Sequence, residues 1–300
     1  MLNRRFRVNG PLDLRRTLGP LGRGPGDRTI RFAAKGAWRA TRTPDGPATV
    51  ALVQVGNELR AEAWGPGAER ALAGVPSLLG LLEEPAALTG GHPTVIHLAR
   101  RFAGVRIPRT EAVVDALVPA ILEQKVIGEE ARRALFQLVR RHGDPAPGPA
   151  ELGLRLPPAP ATLAALPYHA YHPFGVERRR AELIRQVAAR ASWFEAIVDL
   201  PLADAYARLT AVPGIGPWTA AEVAVRALGD ADAVSVGDFH LPNLIAFALA
   251  GEPRGTDARM LELLEPYRGQ RARVIRLLEL SGIRPPRYGP RLSFRRIEGS

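Results

Sequence analysis

The stretch Leu209-Thr-Ala-Val-Pro-Gly-Ile-Gly-Pro-Trp-Thr-Ala220 reads as two helices joined by a tight turn. Pro213 restricts Val212 and ends a helix. Gly214 and Gly216 allow positive φ and leave main-chain N–H groups uncovered. Ile215 between them plugs the turn. A helix over 218–228 starts at those N–H groups, and a bare turn at a helix N-terminus is a seat for phosphate. Asp238 follows 22 positions after Gly216, within Val236-Gly-Asp-Phe-His240. A carboxylate at a fixed remove from a phosphate clamp points to chemistry on a nucleotide as well as binding. By itself Asp238 would also cap a helix beginning near Phe239. The two readings coexist, because a carboxylate at that place lies in the field of the helix dipole.

Outward from this stretch the pattern is helical. Spacing and Gly/Pro punctuation predict helices over 93–102, 110–127, 129–142, 161–166, 177–191, 202–210, 218–228, 239–250, 256–264 and 268–281. Asp144-Pro-Ala-Pro-Gly-Pro and Leu156-Pro-Pro-Ala-Pro read as connectors. Residues 1 to about 70 are β-rich instead. Thr29-Ile-Arg-Phe-Ala alternates, and Trp38-Arg-Ala-Thr-Arg-Thr, Ala48-Thr-Val-Ala-Leu-Val-Gln-Val and Glu58-Leu-Arg-Ala-Glu-Ala-Trp follow between turn signals, which predicts an antiparallel meander of three or four strands. Arg28, Arg31, Arg39 and Arg42 alternate with apolar residues there and read as a solvated sheet face. A helix follows over 68–82.

The 300 residues suffice for one to three domains with a sizeable core. Net charge is +11, and Lys35 and Lys125 are the only lysines among 41 basic residues. Arginine richness is what a GC-rich genome produces, but the sign of the charge is the footprint of a polyanion partner. Zero cysteines exclude disulfides and thiolate metal sites. The six histidines show no metal spacing with carboxylates, and no Ser/His/Asp set or phosphate loop of the nucleotide-hydrolase kind is present. No apolar run approaches the roughly 18 residues of a membrane span, and no leader follows the basic N-terminus.

The ordered turn with its downstream aspartate resembles the helix-hairpin-helix DNA glycosylase superfamily, nearest its bacterial inducible 3-methyladenine DNA glycosylase II branch. Other segments are similar to that branch: Gly10-Pro-Leu-Asp-Leu-Arg-Arg-Thr-Leu and the strands after it, Gly104-Val-Arg-Ile-Pro, Ala120-Ile-Leu-Glu-Gln-Lys-Val, Phe174-Gly-Val-Glu-Arg-Arg-Arg-Ala and Glu265-Pro-Tyr-Arg-Gly-Gln-Arg. The likeness covers most of residues 8–282. It implies an α+β chain: an antiparallel β-rich TBP-like domain over 1–85, an all-α two-lobed core over 86–283, and a basic tail over 284–300.

The resemblance also implies roles. Asp238 is the catalytic carboxylate beside a flipped sugar. Gly214, Ile215, Gly216 and Thr219 bind DNA phosphate. Trp218, Glu222, Tyr267 and Gln124 form the base pocket, with Glu222 replacing an aromatic of the branch and Tyr267 a tryptophan. Lys125 stands where the branch has an apolar wedge. Bifunctional relatives carry a lysine at position 218 that attacks C1′; with Trp218 there, a monofunctional hydrolase is implied. The electron-rich ring suits a cationic, methylated purine. The expected partner is damaged double-stranded DNA, the expected state a monomer in the bacterial cytoplasm, away from membranes. No cofactor and no metal site are expected, beyond room for a structural monovalent cation on carbonyls at the hairpin. Two alternatives stand: a glycosylase for deaminated or oxidised bases, and a non-catalytic lesion-binding protein.

Overall fold

Ala37 pairs with Leu52, and Leu52 with Ala61, so one row of apolar side chains crosses three strands. All three are buried. In the computed structural model, which describes residues 1–82 and 87–286, this row lies in a five-stranded antiparallel sheet. Its strands are β1 Leu2–Arg7, β2 Ile30–Phe32, β3 Gly36–Thr43, β4 Gly46–Val55 and β5 Glu58–Trp64, in the order β1-β5-β4-β3-β2. The meander β2 to β5 matches the expectation. β1 is an addition to it. Leu2–Arg7 is almost wholly exposed, so no buried face writes a pattern into it, and main-chain pairing with β5 holds it at the edge.

Helices α1 Leu14–Leu18, α2 Ala68–Ala73 and α3 Val75–Leu78 close one face of the sheet through Leu14, Leu18, Ala68, Leu72 and Val75. The other face is covered by the proline-rich connector. Trp38 and Ala40 pack on Ala146, Leu152, Leu154 and Leu156, and Pro145 bridges to Arg155. That cover corrects the expectation of a solvated arginine face for Arg39 and Arg42, while Arg28 and Arg31 stay exposed. Arg42 donates to the carbonyl of Pro157 at 2.9 Å and pairs with Asp144 at 2.5 Å. Arg39 lines a cavity of about 80 Å³ with Asp115, between sheet and helices. Burial pushes the Asp115 carboxyl up and the Arg39 guanidinium down, each partly offset by the other's charge.

The remaining helices are α4 Pro93–Arg101, α5 Val113–Leu122, α6 Gly128–His142, α7 Pro160–Ala165, α8 Tyr168–Tyr171, α9 Arg178–Ala189, α10 Ala191–Glu195, α11 Leu202–Thr210, α12 Pro217–Val223, α13 Leu241–Ala250, α14 Asp257–Leu264 and α15 Arg271–Ser281. They divide into two lobes. The core of one is drawn from residues 113–228. The other takes α4 from one end of the helical region and α13 to α15 from the other. The chain thus crosses between lobes twice, and the second crossing, residues 229–240, carries Asp238. The boundary expected near 85 and nearly all of the basic tail over 284–300 lie outside the described residues.

Candidate active site

The turn between α11 and α12 sorts its side chains as its residue types require. Val212 and Ile215 are buried, whereas Pro213, Gly214, Gly216 and Pro217 lie at the surface. Gly214 has φ +98, and a Cβ there would stand 2.9 Å from Leu183 Cδ2. Gly216 differs from expectation. Its φ of −91 and ψ of −179 are extended backbone that any residue adopts. A Cβ at Gly216 would meet nothing within 4 Å, so glycine there keeps the outer surface bare. Among the described residues, neither Gly214 nor Gly216 donates its N–H to a main-chain carbonyl. Pro217 opens α12 and brings no N–H of its own.

Gln124 braces this turn. Its Nε2 donates to the Gly214 carbonyl at 3.0 Å and to Thr219 Oγ1 at 2.9 Å. Its Nε2 is thus engaged by the hairpin. Thr219 is 2% exposed and its hydroxyl accepts from Gln124, so its side chain faces inward. Lys125 follows Gln124, exposed, with φ +55.

The crossing segment is held at four points before it delivers Asp238. Gly229 ends the preceding helix with φ +71. Tyr206 of α11 donates to Asp230 Oδ2 at 2.8 Å. Asp232 accepts from Gly269 N and Arg271 N and pairs with the Arg271 guanidinium at 2.5 Å. Gly237, at φ +91, donates to both oxygens of Asp257 at 3.1 Å. Asp238 then caps α13: Oδ1 accepts from His240 N at 2.7 Å and Leu241 N at 2.9 Å. Oδ2 accepts from Trp218 Nε1 at 3.1 Å. Oδ1 has two donors and Oδ2 one, so Oδ2 keeps a lone pair for a reacting group. Trp218 and Asp238 come from the hairpin lobe and the crossing segment, and this contact joins the hairpin helix to the carboxylate.

Glu222 lies one turn beyond Trp218. It accepts from Ser235 Oγ at 2.5 Å and pairs with Arg226 at 2.7 Å. Burial pushes its carboxyl up, but Arg226, Ser235 and Arg23 together outweigh burial and hold it below the usual range. Glu222, Ser235 and Leu241 line a cavity of about 70 Å³ with Pro20, Arg226 and Glu279. Burial dominates at Glu279, whose carboxyl is raised despite Arg276. The cavity therefore holds one carboxyl tuned down and one tuned up. Trp218 and Asp238 do not line it; Ser235 and Leu241 flank Asp238 at its edge. Tyr267 does not line it either. That side chain is 5% exposed, packed in the core of the second lobe, with its hydroxyl accepting from His92 N at 2.7 Å. The structure thus joins Trp218 to Asp238, and Gln124 to Thr219 and Gly214, while Glu222 and Tyr267 are bound elsewhere. Sequence reasoning misses Ser235 and Asp257, because no spacing marks them.

No family model matches the chain. Over 168 residues it is 32% identical to the "Probable bifunctional transcriptional activator/DNA repair enzyme AlkA" of two Mycobacterium tuberculosis strains. That alignment covers 55% of this chain and 34% of the relative, so the chain spans about a third of the length of the curated relatives it matches. Among solved structures, the 3-methyladenine DNA glycosylase from Archaeoglobus fulgidus superposes with a TM-score of 0.76 at 20% identity, over 92% of this chain and 97% of that one. The 8-oxoguanine glycosylase/lyase of Clostridium acetobutylicum, without ligand, superposes with a TM-score of 0.67 at 13% identity, over 89% and 92%.

The chain has the fold of these DNA glycosylases.

A helix-hairpin-helix glycosylase fold accounts for the N-terminal sheet, the two helical lobes and the order of the elements between them. Within that fold, the pair at Trp218 and Asp238 lies where the hairpin lobe meets the crossing segment.

Proposed function

We propose that this chain is a monofunctional DNA glycosylase. It hydrolyses the N-glycosidic bond of alkylated purines, of the 3-methyladenine and 7-methylguanine type, in duplex DNA and leaves an abasic site. The observation that carries this reading is the hydrogen bond from Trp218 Nε1 to Asp238 Oδ2, at 3.1 Å, beside a hairpin with bare N–H groups. The N–H groups of Gly214, Gly216 and Thr219 take the phosphate near the lesion. The damaged nucleotide leaves the stack, since its C1′ cannot be reached inside the duplex. Asp238 Oδ2 faces the sugar and stabilises the positive charge that develops there. A water oxygen bonds to C1′ as the C1′–N bond breaks. The electron pair leaves with the base, and the water gives up a proton. An alkylated purine is cationic before cleavage and departs neutral, so little general-acid help is needed.

The monofunctional outcome follows from Trp218 at the position where strand-cleaving relatives carry lysine: no amine stands there to form a Schiff base with C1′. The names borne by the Mycobacterium and Archaeoglobus proteins support the DNA-repair reading and the alkylpurine class. Room for a structural monovalent cation on carbonyls at the hairpin, and no other cofactor, is part of the proposal. A monomer acting in the bacterial cytoplasm is part of the proposal; among the described residues no helix is long and apolar enough to cross a membrane. Base release from methylated duplex DNA, with purines separated by chromatography, tests the reading. Release of hypoxanthine or an oxidised purine in place of methylated purines would redirect the substrate class, and duplex binding without release of any base would make the chain a lesion binder.

A further inference from the structure

Phe239 is 75% exposed, the one exposed phenylalanine, tyrosine or tryptophan among the described residues. Its place is set by its neighbours. Asp238 Oδ1 draws in the N–H groups of His240 and Leu241, so the main chain folds tightly around residue 239 and lifts its side chain to the apex. His240 meets the ring edge-on at a centroid distance of 4.9 Å. On the other side a Cβ at Gly237 would meet nothing within 4 Å. A phenylalanine left in water beside the candidate carboxylate has no role in the core of either lobe.

Lys125 presents the complementary problem. It occupies the position where the resemblance places an apolar wedge, yet its head is an ammonium group, which belongs on a phosphate rather than between bases. The two residues flank the start of α12. Lys125 adjoins Gln124, which is bonded to Thr219. Phe239 adjoins Asp238, which is bonded to Trp218. The start of the hairpin helix thus has a cation beside one of its contacts and an aromatic ring beside another, each next to an anchored residue.

We propose that Phe239 is the side chain that enters the DNA stack when the damaged nucleotide leaves, and that Lys125 contacts the backbone. This rests on the glycosylase reading for which nucleotide leaves, but insertion itself requires no chemistry. Apolar side chains commonly fill a vacated or opened base step, and an aromatic ring stacks on either neighbouring base. Phe239 is then a positioning residue: it holds the duplex open while Asp238 faces the sugar.

The test uses the full chain and a duplex with a tetrahydrofuran abasic analogue next to 2-aminopurine, so no base release is needed. Wild type is expected to change the 2-aminopurine fluorescence on binding. Phe239→Ala is expected to lose that change and to bind the abasic duplex roughly tenfold or more weakly, with less than about a twofold effect on undamaged duplex. Phe239→Trp is expected to restore both. Lys125→Ala is expected to keep the fluorescence change, to weaken both duplexes alike and to lower the salt slope by about one. Because Phe239 touches little of the protein, its variants should melt with wild type. A fluorescence change that survives Phe239→Ala, or vanishes with Lys125→Ala, would overturn the proposal. Phe239-dependent insertion by a protein that releases no base would leave the insertion standing and sink the glycosylase reading instead.

Discussion

Trp218 of the hairpin helix and Asp238 of the crossing segment share a hydrogen bond of 3.1 Å, between Nε1 and Oδ2. A neutral donor on a carboxylate contributes about 1.5–3 kcal/mol. Trp218→Phe keeps a ring and removes the donor, so single-turnover base release is expected to fall roughly ten- to a hundredfold. DNA affinity should change little. An unchanged rate would mean that the contact only packs the hairpin helix against the crossing segment.

The two hairpin glycines are expected to fail differently. Gly214→Ala forces a side chain into φ +98 and to within 2.9 Å of Leu183. It should cost about 1–3 kcal/mol of stability. Gly216→Ala meets open space and ordinary φ, so melting should stay within about 0.5 kcal/mol of wild type. Its methyl group nevertheless sits where a phosphate would approach, and duplex affinity should drop. Equal stability loss in both variants would contradict this division.

Glu195 accepts from Val113 N at 2.8 Å and Val114 N at 2.9 Å, capping α5 from a distant helix. Burial pushes its carboxyl up to about 7, against the two N–H donors and with help from Asp115. A carboxyl raised in the folded state binds its proton more tightly there than in the unfolded chain. Its contribution is therefore fully present below about pH 4.5 and is lost as pH rises toward 7, by up to roughly 3 kcal/mol. Glu195→Gln should lower stability below about pH 4.5, because one amide N–H₂ would face a main-chain N–H. It should also flatten the slope between about pH 4.5 and 7. Denaturant midpoints across that range are the readout, and an unaltered slope would contradict the assignment.

Tyr267→Phe removes the hydroxyl that accepts from His92 N. Stability should fall by about 1 kcal/mol, with no change in which base is released. Glu222→Gln should likewise leave the released base unchanged, because its carboxylate is taken by Arg226 and Ser235. An unchanged preference for 7-methylguanine over neutral hypoxanthine is expected; a shifted preference would place Glu222 at the base.

The hairpin is legible in the sequence because backbone geometry dictates Pro213 and Gly214 whatever surrounds them, and a capping aspartate announces the helix after it. Meander strands β2 to β5 are legible as β-prone apolar runs between turn signals, and β5 also buries alternate residues. Pocket membership is not. Glu222 lies on the same helical face as Trp218, but Arg226, one turn further, draws its carboxylate away. Tyr267 ends in the core because the Gly91–His92 turn arrives from 175 residues away to meet its hydroxyl. Arg39 and Arg42 read as solvated because the connector that covers them is irregular and rich in proline. Such long-range meetings leave no local pattern.

The role of Asp238 is decided by base release from methylated duplex DNA, wild type beside Asp238→Asn, with abasic sites scored by alkali. The substituted asparagine would keep one oxygen for the α13 cap and lose the negative charge. Wild type is expected to free 3-methyladenine or 7-methylguanine without a strand nick before alkali, and the Asp238→Asn protein to bind the duplex but free neither. Release that persists in Asp238→Asn, or strand cleavage by wild type without alkali, would contradict a monofunctional enzyme centred on Asp238.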